Sequence, residues 1–295
     1  MMADGSVPAF DLSGSQSVDR ALRLLALVGR EDDRGLSLSD AVEESGLNKP
    51  TVRRLLLALM RAGLVEQDGA TRRYFLGESA FVLGVLASRR HGLLEIAVES
   101  VREMSAATLD TGFVSVRQGD YSVCLHREEG AYPVRTHALQ AGYRHPLGIG
   151  AGSLAILAAL PDEEVERVLA ANARVLAAQY PLFTPDRLRA EVAETRRRGH
   201  SLNPGLLVAG SWGMGAAVSY PDGRVAGALS IAAVDSRMRP ERQPELAATL
   251  DAAVATVEGK LRRMFRPRIP PAEAAPARGA RGTVNGGARG APPRA

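Results

Sequence analysis

Two stretches carry residue types whose spacing could do chemistry. In the run NKPTVRRLLLALMRAG (48–63), Lys49, Pro50, Thr51, Arg53 and Arg54 fall outside an apolar stripe of Val52, Leu55, Leu56, Leu59 and Met60, so the exposed N-terminal half of the predicted helix is basic. An arginine fork pairs with both O6 and N7 of a guanine, a threonine can meet a phosphate or a thymine methyl, and the positive end of a helix faces phosphate. Arg72 and Arg73 follow in the run LVEQDGATRRYFLG (64–77), where they could touch phosphate or the minor groove. The second stretch is HPLGIGAGSLAILAAL (145–160), in which Gly148, Gly150 and Gly152 lead straight into an apolar helix. Glycines let backbone approach a ligand, and a helix start offers unpaired N–H groups to an anion. The loop lacks the Gly-Lys-Ser/Thr ending of a P-loop and the G-x-G-x-x-G of a dinucleotide fingerprint, and a tight loop packed on a sheet has the same spacing.

Catalytic and metal signatures are missing. There is no H-E-x-x-H and no G-x-S-x-G, and His91, His126, His137, His145 and His200 are widely scattered. A single cysteine, Cys124, excludes an internal disulfide and a cysteine-based zinc cluster, and reads as a core residue. No catalytic residue, metal or cofactor is expected.

The elements that must hold these residues can be read from pattern. A first helix puts Val18, Ala21, Leu22, Leu25 and Val28 on one face; Ser37 caps a second, LSDAVEES, that turns at Gly46; Asn48 caps the third, with Pro50 tolerated in its first turn. Two β-prone runs, 64–66 and 74–76, close a hairpin directly after it. Helix, turn, helix and basic hairpin together make a winged helix-turn-helix whose third helix enters the major groove. Beyond Gly92, helix and strand alternate. A helix lies near 93–109, strands at GFVSVRQ, YSVCLHRE and PVRTHAL, a helix opened by Thr184 and Pro185, strands GMGAAVSY and RVAGALSIAAV joined by PDG, and a final helix ends near Met264. The fold class is α+β.

The 295 residues allow two domains, and 45% hydrophobic residues allow each a core. The expected organisation is an arm at 1–15, the winged helix at 16–77, a linker helix at 78–91, an effector-binding and oligomerisation domain at 92–265, and a disordered basic tail at 266–295. That tail holds six arginines against one acid, so the net charge of +4 owes little to the folded part. No window approaches a membrane span, and the N-terminus has no secretory pattern, which together with the lone cysteine points to the cytoplasm.

The runs SVDRALRLLALV, LSLSDAVEESGLNKPTVRRLLLALMRAGLVEQDG and RRYFLG resemble the IclR family of bacterial transcription regulators, and the resemblance extends over residues 17–265. One departure is Pro50, where the family commonly has a serine. The resemblance implies a C-terminal GAF-like domain whose effector loop aligns with 150–152, with Ala151 and Gly152 presenting backbone to the ligand and Asn203, Gly213, Ser230 and Ala232 on the opposite wall. It implies dimers, often paired into tetramers, on a pseudo-palindromic duplex operator, and effectors that are small carboxylates. Asn203 stands at an acidic family position, Gly213 at a polar one and Ala232 at a serine, which implies a roomier, less polar pocket and an acid bulkier or more apolar than glyoxylate or pyruvate. Repression is the commoner behaviour in the family. The competing readings are a protein-interaction module that uses the winged helix without DNA, and an enzyme acting on a small acid.

Overall fold

The computed structural model describes residues 16–31, 34–134 and 139–265. The expected arm and tail lie outside them.

The N-terminal part consists of α1 (Gln16–Val28), α2 (Leu38–Ser45), α3 (Lys49–Arg61) and an antiparallel hairpin of β1 (Val65–Gln67) and β2 (Tyr74–Leu76). Its caps follow from residue type. The Ser37 side chain accepts from the Asp40 N–H at 3.1 Å, Asn48 accepts from the Thr51 N–H at 3.0 Å, and Gly46 ends α2 in the left-handed conformation. Leu24, Val28, Leu36, Ala41, Val52, Leu56 and Tyr74 close one small core. Leu36 bridges Tyr74, which ties the segment before α2 to the hairpin.

The buried face of α1 differs from the expected one. Leu24, Leu27 and Val28 are buried and Ala21 and Leu25 pack beside them, whereas Val18 and Leu22 are 55% and 54% exposed. Eight of the helix's positions from 18 to 28 are apolar, a band wider than one contact, and periodicity does not say which edge turns inward.

After α4 (Glu78–His91) comes a sheet of six antiparallel strands in the order β5-β4-β3-β8-β7-β6: β3 (Thr111–Gln118), β4 (Tyr121–Glu128), β5 (Arg144–Pro146), β6 (Ser201–Val208), β7 (Ser211–Ser219) and β8 (Val225–Val234). Alternation along the strands assigns two faces. Val114, Met214, Ala216, Val218, Leu229 and Ile231 point to α5 (Leu93–Thr108) and α9 (Gln243–Met264). The intervening positions point to the side of α6 (Ala151–Ala158), which packs with α7 (Asp162–Gln179) and α8 (Pro185–Arg198) in a second core. Where α9 begins, the buried Asp110 carboxylate pairs with Arg237 at 2.7 Å and Arg242 at 2.6 Å, so its charge is compensated.

Three features depart from the pattern reading. The expected strand PVRTHAL has residues 135–138 outside the described part, Pro133 and Val134 form a bend, and the edge strand is β5, three residues too short to leave a period. Strand β6 carries Pro204 and Gly205 and a register irregularity between Pro204 and Val208, which broke the alternation. Helix α7 follows α6 after only Ala159, Leu160 and Pro161. Among the described residues no helix is long and apolar enough to cross a membrane.

Candidate DNA-binding face and effector cavity

On α3, Lys49, Pro50, Arg53 and Arg54 are exposed and Thr51 is half-buried; the stripe Val52, Leu55, Leu56 and Leu59 is buried. The cap at Asn48 leaves the rest of the first turn open, so a basic surface and a positive helix end coincide.

The hairpin beside it is held by its own turn. Asp68 Oδ1 accepts from the Thr71 N–H and hydroxyl, both at 2.6 Å, which holds the Asp68 carboxyl below its usual range. The Asp68 N–H donates to the Arg73 carbonyl and Gln67 Nε2 donates to that of Arg72. Arg72 sits exposed at φ 60°, a left-handed conformation that costs a non-glycine residue about 1–2 kcal/mol, and its side chain stands at the wing tip. Arg73 is placed differently. Its Nη1 donates to the Gly35 carbonyl at 2.7 Å, so it clamps the wing to the segment before α2. Of the seven residues expected at DNA, six are grouped on α3 and the wing tip, and Arg73 is turned toward the protein.

The start of α6 forms a cavity against the sheet. Gly150 precedes the helix at φ 83°, and the first intrahelical bond runs from the Leu154 N–H to the Gly150 carbonyl, so the N–H groups of Ala151, Gly152 and Ser153 have no helical acceptor. The helix start lies against the sheet because β7 lacks side chains there: a Cβ on Gly215 would come within 2.7 Å of the Ala151 carbonyl group. The Ser201 hydroxyl donates to the Ala151 carbonyl at 2.6 Å, pinning the same turn.

Gly150, Ala151, Gly152, Asn203, Gly213, Ser230 and Ala232 all line this one cavity, with Phe113, Ser115, Ser122, Cys124, Tyr143, His145, Leu207 and Trp212. It spans about 610 Å³ including its mouth, which opens to solvent. Pattern reading missed Ser115, Ser122 and His145. Their signal was parity: Phe113 and Ser115 share a face of β3, Ser115 pairs with Cys124, and Ser122 pairs with His145.

The chemistry of the wall is neutral and rich in donors. No Asp, Glu, Lys or Arg is among the described lining residues. Burial pushes the Cys124 thiol up to about 12, and burial together with the charge of Arg30 lowers His145 to about 4. The Ser230 and Ser115 hydroxyls approach Gly152: a Cβ there would be 3.0 and 3.5 Å from them. Asn203 Oδ1 accepts from the Leu206 N–H, which leaves its amide NH2 as the group to offer. The missing side chain at Gly213 opens less room than expected, because a Cβ there would lie 3.1 Å from Ala151 Cβ. On the far side, a Cβ on Gly142 would lie 3.4 Å from the Gly29 carbonyl oxygen, so the end of α1 abuts the loop that leads into the cavity wall.

Comparison with known proteins identifies the family. The IclR helix-turn-helix domain matches residues 17–69, and the C-terminal domain of bacterial transcriptional regulators of the IclR type matches residues 85–258. The transcriptional repressor IclR of Escherichia coli is 25% identical over 82% of this chain and 88% of its own. The crystal structure of an IclR-type regulator from Silicibacter sp. TM1040 is 31% identical, with a TM-score of 0.67 over 83% of this chain and 96% of that one. An IclR homologue from Microbacterium hydrocarbonoxydans, solved with 4-hydroxybenzoate, shares the fold at 20% identity and a TM-score of 0.67 over 84% of this chain and 100% of that one. The chain therefore belongs to the IclR family of bacterial transcription regulators, with a DNA-binding helix-turn-helix and a C-terminal effector-binding domain.

Proposed function

We propose that this regulator is a cytoplasmic repressor that binds a pseudo-palindromic operator as a homodimer or tetramer, and that a small carboxylate in the cavity changes its affinity for DNA. Lys49, Pro50, Thr51, Arg53 and Arg54 meet the major groove and Arg72 the adjacent backbone or minor groove; Arg73 supports the wing. One short helix reads too few base pairs for genomic specificity, which calls for symmetric pairing. Exposed Val18 and Leu22 on α1, and Phe81, Val82, Leu83 and Leu86 on α4, offer apolar surface for it.

The observation that carries the effector reading is convergence. Residues 150–152 and 203–232, far apart in the chain, surround one cavity at a helix start whose first N–H groups have no helical acceptor. A carboxylate suits those N–H groups and the Ser115 and Ser230 hydroxyls. Phe113, Ile149, Leu207 and Trp212 favour an acid with a more apolar body than glyoxylate or pyruvate. The Microbacterium relative's 4-hydroxybenzoate is an acid of that kind. Ligand control requires tighter binding to one state than the other. No catalytic role is assigned to any residue of the cavity.

Selection from a library of random duplexes at near-physiological salt tests the DNA reading. The intact protein should enrich a pseudo-palindrome, and an Arg53→Ala, Arg54→Ala variant should not. Absence of enrichment by the folded protein would overturn it. A calorimetric panel in which only two- or three-carbon acids bind would overturn the effector class.

A further inference from the structure

His145 lies on β5 directly opposite Ser122 of β4, and both line the cavity. The ring is held from behind. Its Nδ1 is 3.1 Å from the hydroxyl of Tyr180, a residue outside the cavity lining, and the two rings meet edge to face. Nε2, on the ring's other edge, is buried without a hydrogen-bond partner among the described residues. Buried polar atoms are paired with few exceptions, so an orphan on a residue that lines a cavity calls for a partner.

We propose that the cavity reads its ligand at two ends, the start of α6 holding a carboxylate and His145 Nε2 meeting a hydroxyl, so that hydroxy-monocarboxylic acids bind in preference to their deoxy analogues. This rests on the effector reading of the cavity. The geometry sets the two ends apart: Gly152 lies between Ser115 of β3 and Ser230 of β8, whereas β5 is two strand intervals from β3, about 10 Å. The ligand's body fills the space between them.

The chemistry selects a hydroxyl. Burial keeps the ring neutral, so one of its nitrogens carries a proton and the other a lone pair. The Tyr180 hydroxyl can donate to Nδ1 or accept from it, and Nε2 is correspondingly a donor or an acceptor. A ligand hydroxyl satisfies either form. A second carboxylate would find no Lys or Arg side chain among the described lining residues.

Calorimetry on the intact protein tests this with two pairs of acids, 4-hydroxybenzoate with benzoate and 6-hydroxyhexanoate with hexanoate. The hydroxy acid of at least one pair should bind about tenfold more tightly than its partner, the worth of one hydrogen bond. His145→Phe should bring that ratio toward one, and His145→Gln, which keeps a donor and an acceptor, should restore part of it. If His145→Phe does not fold, Tyr180→Phe keeps the ring but releases Nδ1, and should reduce the ratio. Benzoate or hexanoate binding that Gly152→Val abolishes, with no preference for the hydroxy acid, overturns the His145 inference alone. No binding of any of the four acids overturns it together with the effector reading.

Discussion

On the DNA-facing side the chemistry is carried by long side chains, Lys49, Arg53, Arg54 and Arg72, standing clear of a regular helix and a hairpin. In the cavity it is carried by groups with little or no side chain: the N–H groups of Ala151 and Gly152 and two serine hydroxyls, held by the close approach of helix and strand that Gly215 permits. The contrast follows from what each surface meets. A duplex is a rigid polyanion that charges can reach at a distance, whereas a small acid must be enclosed, and enclosure needs backbone close to backbone. The first kind of site is damaged by removing atoms, the second by adding them.

The largest test of that contrast is Arg53→Ala with Arg54→Ala. Each specific arginine contact is worth about 1–3 kcal/mol, so operator affinity should fall about 30-fold or more, while the unfolding midpoint, followed by circular dichroism, stays within about 2 °C because both side chains are exposed. Unchanged affinity in a filter-retention assay would break the comparison on its DNA side.

Next in size is Gly215→Val. Its Cβ would press on the Ala151 carbonyl group, a backbone contact that cannot give way cheaply, and a loss of about 3 kcal/mol is expected in urea titration. Ser230→Ala, which removes atoms from the same wall, should cost no more than about 1 kcal/mol. Equal losses in the two variants would blur the distinction.

A third effect is pH-dependent. His145 has its pKa lowered from 6.5 to about 4, by burial first and by the charge of Arg30 second; Tyr180 is the other ionisable group against its ring, and Arg144 its neighbour on β5. Between those values the unfolded chain binds the proton and the folded chain does not, so stability is full above pH 6.5 and is lost as pH falls toward 4. The loss should be about 3 kcal/mol, and His145→Phe should flatten the decline in unfolding free energy between pH 6.5 and 4. An identical slope in the variant would show that other groups govern it.

The smallest expected change is at Lys49. Replacing it with alanine should weaken binding only a few-fold and equally across sequences, lowering the slope of log affinity against log salt by about 1.

How much could be read beforehand divides along the same line. The helix-turn-helix was legible because its signals are local: Ser37 and Asn48 as caps, Gly46 as a turn and an apolar stripe on α3. Which edge of α1 is buried was not, since eight apolar positions leave the choice to packing. The cavity's glycine loop drew attention by its spacing, but only resemblance to a family tied it to Asn203 and Ser230, more than fifty positions away in the sequence. Gly215 and His145 left no local mark: the first matters because two backbones meet, the second because Tyr180 stands behind it. Arg73 looked like a phosphate contact from its charge alone, and only the fold reveals the Gly35 carbonyl within its reach.

The contact of Gly142 with the end of α1 joins the two halves of the comparison. Tyr143 and His145, just beyond Gly142, belong to the cavity wall, and Gly29 belongs to the segment leaving the first helix of the DNA-binding part. Free energies around a closed cycle must sum to zero. If an acid that moves this wall changes operator affinity by some factor, operator changes affinity for that acid by the same factor. The duplex then acts as an allosteric ligand of the cavity, and an acid titrated into the protein with and without operator reports the coupling from the small-molecule side.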